Sequence, residues 1–335
     1  MVILITANGG GSMKGRWILV ALAVVILASP GTSGATSMGS TGKTVGRTGA
    51  AVGCGSVELT GVPSGTARST SAALGSISAT LSGSVATIYG IPALADATIK
   101  VLVDHKQVMT GPVAIQQASS GSPLIPEGLG PEEAPGPWSW VVSTPVRPLC
   151  VARFGGADPE TAVLVGMYSG GAHCCTSIDA YVVRSNAVST VPVERDFGNP
   201  GASLISSDGH AVIVTADNAF AYQFASYGGS GMPLMVIELR SGKFVVTTRE
   251  HPGWVGVDAG FQWGSYIQSQ NGLGLGWLAA WAADECTLDQ AAQAWNTLDQ
   301  LQAQGSLDSG PPGWPTGSAY VIQLRSFLSA HGYCS

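Results

Sequence analysis

Along the middle of this chain, apolar residues come in short β-branched blocks. SISATLSG, SVATIYG, ATIKVLVDH and QVMTGPVAI, from about residue 73, are each broken by Gly, Pro or Asp, which is the mark of strands. WSWVVS, PLCVARF, ETAVLVGMY, SIDAYVVR, HAVIVTA, AFAYQFASY and PLMVIELRSGKFVVTTRE repeat the pattern further on. Within the last of these, Arg240-Ser241-Gly242-Lys243 predicts a hairpin turn. Between the two groups, residues 119–137 (SSGSPLIPEGLGPEEAPGP) read as a Pro/Gly-rich loop that no sheet strand is expected to enter. An acidic turn running into a β-branched strand occurs at Asp158 and again at Asp208, a spacing of fifty residues that suits one propeller blade.

Past residue 270 the period changes. Leu288, Ala291, Ala292, Trp295 and Leu298 fall on one helical face, and Thr287 with Gln290 has the spacing of a capping box. Tyr320, Val321, Leu324, Phe327 and Leu328 repeat that spacing, with Gly332 placed to stop the helix. GLGWLAAWAADE, from residue 274, predicts a buried helix, since twelve apolar-rich residues are too few to cross a bilayer. The expected fold is mainly β, with propeller-like or sandwich-like sheets over residues 73–260. A small C-terminal α-helical lobe over 261–335 follows.

The start of the chain changes the picture from fold to compartment. Lys14 and Arg16 precede the apolar run WILVALAVVILA, residues 17–28, and Ser33-Gly34-Ala35 offers small residues for cleavage. That is a secretory signal peptide within residues 1–35, behind an N-terminal extension, and it predicts a secreted chain beginning near Thr36 with no permanent membrane anchor. Residues 36–72, rich in Gly, Ser and Thr, read as a linker. Charged residues are 11% of the chain and the formal net charge is −6, without a Lys/Arg cluster, which argues against a nucleic-acid partner. In an exported chain the six cysteines, Cys54, Cys150, Cys174, Cys175, Cys286 and Cys334, read as disulfides. Cys286 and Cys334 stand alone in the C-terminal part and are expected to pair. Cys54 and Cys150 are then expected to take Cys174 and Cys175, in either order.

The stretch FGGADPETAVLVGMYSGGAHCC, followed by ADNAFAYQFASYGGSGMPLMVIELRSGKFVVTTREHP, resembles a group of uncharacterised exported actinobacterial proteins. These are themselves distantly similar to FG-GAP (integrin-α-type) repeats. The matching positions are Tyr168, Gly170 to Cys175, Asp217, Phe220 to Phe224, Pro233, Thr248, Arg249 and Pro252. The likeness covers roughly residues 145–255 and implies an extracellular repeat-type β fold. It implies no calcium site, because the loop Gly155 to Glu160 has two carboxylates where such a site takes six to eight oxygens. No cofactor and no metal are expected.

The chemistry is sparse. No serine has glycine at both −2 and +2, no H-E-x-x-H occurs, and no phosphate-binding glycine loop follows a strand. His173 is a candidate ligand-binding residue, with a structural role in a Gly-Gly turn as the plainer reading. Asp217 is a candidate pocket carboxylate, whose plainer reading is an Asx turn or an ion pair to Arg249. Trp254, with Phe261 and Trp263, is a candidate sugar-stacking residue, or else packing at the β/α junction. No residue is assigned as catalytic. The leading function is a non-catalytic extracellular module that binds a protein or glycan. The alternative is an exported hydrolase with a cleft around His173, Asp217 and Glu160, and convergence of those residues would favour it.

Overall fold

The structure is a computed structural model. It describes residues 51–335 apart from 56, 58, 60, 89–90, 114–115, 118–122, 127–147, 157, 172–173, 186, 199–200, 270–273, 311 and 335. Strand β1 (Val52–Gly55) comes first. An antiparallel meander of β2 (Ala67–Leu74), β3 (Ile77–Ile88), β4 (Ile91–Val103) and β5 (Lys106–Pro112) forms a four-stranded sheet. After the short β6 (Gln116–Gln117) and β7 (Pro123–Pro126) come β8 (Leu149–Arg153), β9 (Thr161–Gly171) and β10 (Cys174–Arg184). With β11 (Ala187–Val188), β12 (Val193–Gly198) and β1 they build a second, central sheet. The third sheet is the meander β13 (Ser203–Ser207), β14 (His210–Ala216), β15 (Leu234–Arg240) and β16 (Lys243–Val246). Helices α1 (Pro252–Gln268), α2 (Leu275–Thr287), α3 (Ala291–Ala303) and α4 (Gly317–Ala330) complete the chain.

The layer order follows from alternation along the strands, whose successive side chains point to opposite faces. In the central sheet Leu149, Val151, Val163, Val165, Met167 and Tyr181 pack against Leu81, Ile99 and Val101 of the first sheet. Their neighbours Cys150, Ala152, Ala162, Leu164, Ile178, Ala180 and Val182 pack against Leu204, Ile213, Ile237 and Leu239 of the third. The other face of the third sheet, carrying Ile205, Val212, Val214, Leu234 and Val236, closes on Val255 and Trp254 of α1. Three sheets therefore stack like a double sandwich, and the helices cover the last one. In the helical lobe α2 is buried along nearly all its length, with Leu278, Ala279, Ala282 and Ala283 against Tyr320, Leu324 and Leu328 of α4. The mainly β fold with its C-terminal helical lobe is the architecture read from the sequence.

Several local expectations are corrected. The linker predicted over residues 36–72 ends early: β1 and most of β2 fall inside it. Gly53 and Gly55 let β1 lie directly on β2, since a Cβ at either would overlap the backbone of Ala73 or Ser71. The supposed loop of 119–137 contains β7, which pairs Ile125 with Tyr168 and Pro126 with Met167, along the edge of β9 beyond the end of β8. The predicted strand WSWVVS lies outside the described residues. AFAYQFASY is not a strand. It makes 3-10 turns at Asn218–Phe220 and Tyr227–Gly229, and Phe220 and Phe224 both enter the helical core. The helical lobe begins at Pro252, and α3 turns Ala294 inward while Ala292 faces solvent. Thr287 ends α2 instead of capping α3, with its hydroxyl donating to the Ala283 carbonyl at 2.9 Å. The two acidic-turn echoes lead into strands of different sheets, β9 and β14.

The disulfides are half as expected. Cys286–Cys334 is present. Cys54 does not take Cys174 or Cys175: it bonds Cys150, directly opposite it in the β1–β8 ladder, with a Cα–Cα distance of 4.1 Å. Facing positions on neighbouring antiparallel strands bring two Cβ atoms within reach, which spacing along the chain cannot reveal. The bond ties β1 into the central sheet across a sequence separation of 96. The double change Cys54→Ala/Cys150→Ala is expected to lower stability by about 4–5 kcal/mol, the loop-entropy value for a closure of that size. Denaturant titration measures it, and non-reducing peptide mapping of the parent chain is expected to yield both named cystine peptides.

Candidate functional site

A cavity of about 350 Å³ lies where the ends of β14 and β15 meet the C-terminal tail. Asp217, Thr247, Arg249, Glu250, His331 and Tyr333 give it a polar wall, and Leu234, Met235 and Val246 an apolar one. Asp217 directly follows β14. Its backbone N–H donates to the Pro233 carbonyl at 2.9 Å, continuing the β14–β15 pairing by one step. Its Oδ1 accepts the Ala219 N–H at 2.9 Å, which makes the Asx turn that opens the 3-10 turn. Its Oδ2 accepts the Tyr333 hydroxyl at 2.7 Å.

Tyr333 is aimed by the end of α4. Gly332 has φ +75°, a backbone state that costs glycine little. With it, the Tyr333 N–H reaches the Leu328 carbonyl at 2.9 Å and the Gly332 N–H reaches Ser329 at 3.2 Å. That pair of bonds is a Schellman motif, and it turns the tail back over the third sheet. Burial, then the Asp217 carboxylate, with smaller contributions from Asp284 and Asp258, holds the Tyr333 phenol well above its ordinary pKa. Tyr333 is therefore a neutral hydrogen-bond donor.

Arg249 fastens the same tail from the other side. It sits in the 3-10 turn Thr248–Glu250 that follows β16. Its Nη1 donates to the carbonyls of Cys286 (3.3 Å) and Thr287 (3.1 Å) and to Asp289 Oδ1 (3.2 Å). Its Nη2 donates to the Tyr333 carbonyl at 2.9 Å. A cation at the last carbonyls of α2 also complements the helix dipole. The contacts fall on Cys286 itself and on the residue before Cys334, so Arg249 and the disulfide join the same two segments. A second arginine, Arg240, grips Glu250 at 2.7 and 2.6 Å and the buried Glu238 at 3.3 and 3.2 Å. The bond to Arg240 holds the Glu250 carboxyl below its ordinary range.

Behind the cavity lie two buried acids. Asp258 of α1 accepts the Leu234 N–H at 2.9 Å and the Gln262 side-chain amide at 3.3 Å. Asp284 of α2 is 1% exposed. Burial first, then the charge of Asp258 and a hydrogen bond to it, push the Asp284 carboxyl well above the ordinary carboxylate range. Asp284 therefore keeps its proton to a higher pH than an exposed carboxyl does.

Of the residues expected from sequence, those that the structure describes are dispersed. His173 lies outside the described residues, as do the side chains of Cys174 and Cys175. The motif around them joins β9 to β10, whose ladder pairs Gly171 with Cys174. Asp217 makes its Asx turn but no ion pair with Arg249; Tyr333 bridges the two through its hydroxyl and its carbonyl. Trp254 packs on the third sheet and stacks on His251, with ring centroids 4.9 Å apart. Trp263 packs on Trp281 and Phe261 on Trp277. Glu160 accepts the Gly242 N–H at 2.7 Å, at the far end of β15 from Asp217. A strand of that length spans about 20 Å, so Glu160 and Asp217 do not share a cleft. Sequence reasoning passed over Tyr333, Asp284 and the true role of Arg249. Two acids ending an otherwise apolar helix, LGWLAAWAADEC, were the available signal for Asp284. Among the described residues no group of three or more His, Cys, Asp or Glu side chains is placed to hold a metal.

Tyr333→Phe leaves Asp217 Oδ2 without its donor, and a loss of about 1–3 kcal/mol is expected by denaturant titration. Asp284 gives a pH signature. Its folded pKa lies above the unfolded value of about 3.9, so the folded state holds the proton longer and stability falls as pH rises above that value. Asp284→Asn is expected to flatten this fall and to raise the melting temperature at pH ~8 more than at pH ~5. A variant whose melting temperature tracks the parent at both pH values would contradict a raised Asp284 carboxyl.

The chain is 28% identical over 166 residues to a protein described as a probable thylakoid lumen protein of Synechocystis, covering 46% of this chain and 48% of that one. It is 25% identical over 153 residues to an uncharacterised protein of Sinorhizobium fredii, covering 42% of this chain and 23% of the other. The matched region thus spans about half the length of the first relative and about a quarter of the second. No protein-family model matches the chain, and no solved structure does.

Proposed function

We propose that the chain is an exported, non-catalytic binding module, whose partner is an extracellular protein or glycan. The observation that carries this reading is the state of the Asp217 carboxylate. One oxygen takes a backbone N–H and the other a neutral tyrosine hydroxyl. Each oxygen already serves a contact that fixes the chain, one at the start of the 3-10 turn and one in the C-terminal tail, so the carboxylate is built into the wall of the cavity. Arg249 is likewise occupied by three carbonyls and a carboxylate. The cavity they line is shaped by groups bound to one another, which suits recognition by a preformed surface better than chemistry.

Export is supported by the apolar run behind Lys14 and Arg16, by the disulfides Cys54–Cys150 and Cys286–Cys334, and by the Synechocystis relative described as a probable thylakoid lumen protein. Among the described residues no helix is long and apolar enough to cross a membrane. The acidic balance, −6 over the chain, remains an argument against nucleic acid.

The test is a comparison of the parent chain with Asp217→Asn on chromogenic ester, peptide and glycoside substrates, alongside thermal unfolding. The expected result is no turnover by either protein and a lower melting temperature for the variant. Turnover by the parent that disappears in a folded Asp217→Asn protein would establish the hydrolase alternative.

A further inference from the structure

Among the described residues, Arg195 is a partly buried cation without a strong acceptor. Arg195 lies on β12 between Val193 and Phe197, two residues packed into the core between the central and third sheets. Its Nη2 points at the Met235 sulfur, 3.6 Å away, and its Nε is buried with no hydrogen-bond partner. None of the ion pairs among the described residues includes it. Burying part of a guanidinium without an acceptor is costly, and a thioether is a weak one. An edge strand can turn a charge inward to discourage pairing with other chains, and among the described residues β12 pairs with β10 alone. That role accounts for the charge but not for the space around it.

A second cavity, of about 250 Å³, opens at this arginine and is lined by Arg195, Asp196, Gly198, Asp217, Asn218 and Met235, among others. Asp217 and Met235 also line the 350 Å³ cavity, so they form the partition between the two. Neither acid in the smaller cavity serves as Arg195's counter-ion. Asp217 is bound to Ala219 and Tyr333, and Asp196 Oδ1 accepts the Gly198 N–H at 2.7 Å. Met235, unbranched and with three rotatable bonds before its methyl, is the kind of side chain that moves aside. Nε–H and Nη2–H together form the side-on fork that receives two oxygens of one planar anion.

We propose that Arg195 is the anchor of a binding site for a small carboxylate, which displaces the Met235 thioether and takes both N–H groups of the fork. The two acids lining the cavity disfavour a multiply charged anion by like-charge repulsion, so a monoanion fits. A free peptide C-terminus and a uronic acid both carry that group. The assignment rests on the binding-module reading and supplies its ligand chemistry.

The experiment is a thermal-shift and NMR titration of the full chain with N-acetylalanine, with glucuronate, and with N-acetylalaninamide as the uncharged control. A saturable rise of the melting temperature, about 2–4 °C near ten times Kd, is expected with at least one of the two acids and not with the amide. The preferred acid identifies peptide or glycan as the source. Arg195→Met is expected to fold and to abolish the shift. Arg195→Lys keeps the charge but loses the fork, and it is expected to weaken binding at least tenfold. Equal shifts with acid and amide, an undiminished shift in Arg195→Met or Arg195→Lys, or no saturable shift with either acid would overturn the site. Release of acetate from N-acetylalanine, followed in the same NMR samples, would instead overturn the non-catalytic reading while leaving the carboxylate site standing.

Discussion

Because the middle of the central sheet is buried on both faces, its strands β8, β9 and β10 must offer buried side chains at consecutive positions, and this one constraint sets the order of the layers. The run TAVLVGM in β9 meets it: Val163, Val165 and Met167 go to one core, Ala162 and Leu164 to the other. Sheets buried on both faces read as continuous apolar runs instead of alternating ones. The small residues Ala152, Ala162, Ala180 and Ala211 all fall in the core between the central and third sheets. The larger Leu81, Ile99, Leu149, Met167 and Tyr181 fill the other core. Tyr181 shows what burial there does to a polar group. Its phenol is pushed up to about 12 by desolvation, helped by Asp179 and Glu194.

The third sheet is buried twice as well, and that calls for the helices. A sheet whose outer face carries Val212, Val214, Leu234 and Val236 needs an apolar cover, which α1 supplies with Val255. Once α1 lies there, Asp258 reaches the Leu234 N–H at the start of β15, and α2 packs on α1 with Asp284 buried. The C-terminal tail then returns over the strand ends. Three devices act on the same short segment: the Schellman turn at Gly332, the Cys286–Cys334 bond and the Arg249 guanidinium. Each is modest or depends on the others. Arg249 alone is half exposed, and a lone ion pair there would contribute little. Its value lies in reaching four acceptors on segments that the disulfide already holds close.

Elements with strong periodicity were legible in the sequence. Most of the β-branched runs within the described residues became strands, Arg240 to Lys243 became the hairpin turn with Ser241 and Gly242 at positive φ, and Gly332 stopped α4. What misled was local chemistry that tertiary contact overrides. AFAYQFASY has alternating aromatics, but Phe220 and Phe224 lie four apart and both face the helical core, so packing against Phe327 and Tyr320 overrode strand propensity. Cys54 and Cys150 are ninety-six residues apart, and only the ladder shows that they face each other. Of the site, Asp217 was visible as a carboxylate beside a strand. Its partner Tyr333 was not, because the pairing depends on a tail that folds back across a separation of 116 residues.

A chain with 11% charged residues has few charges to spend, and their placement separates structure from recognition. Glu160, Asp217, Glu238, Arg240 and Arg249 each hold two or more partners inside the protein. Such groups fix backbone segments, and their electrostatic potential is largely quenched by their neighbours before it reaches solvent. Arg195 differs in kind. It carries a full charge on a core-facing side of an edge strand, beside a cavity, with only a sulfur for an acceptor. Folding alone would favour an apolar residue of similar length at that position, since losing the guanidinium relieves the desolvation of an Nε buried without an acceptor. An arginine kept there at a cost to stability is best understood through an acceptor that arrives from outside the chain. The same argument explains why Asp217 and Met235 form the partition between the two cavities: one is locked and sets the wall, and the other is flexible and can yield.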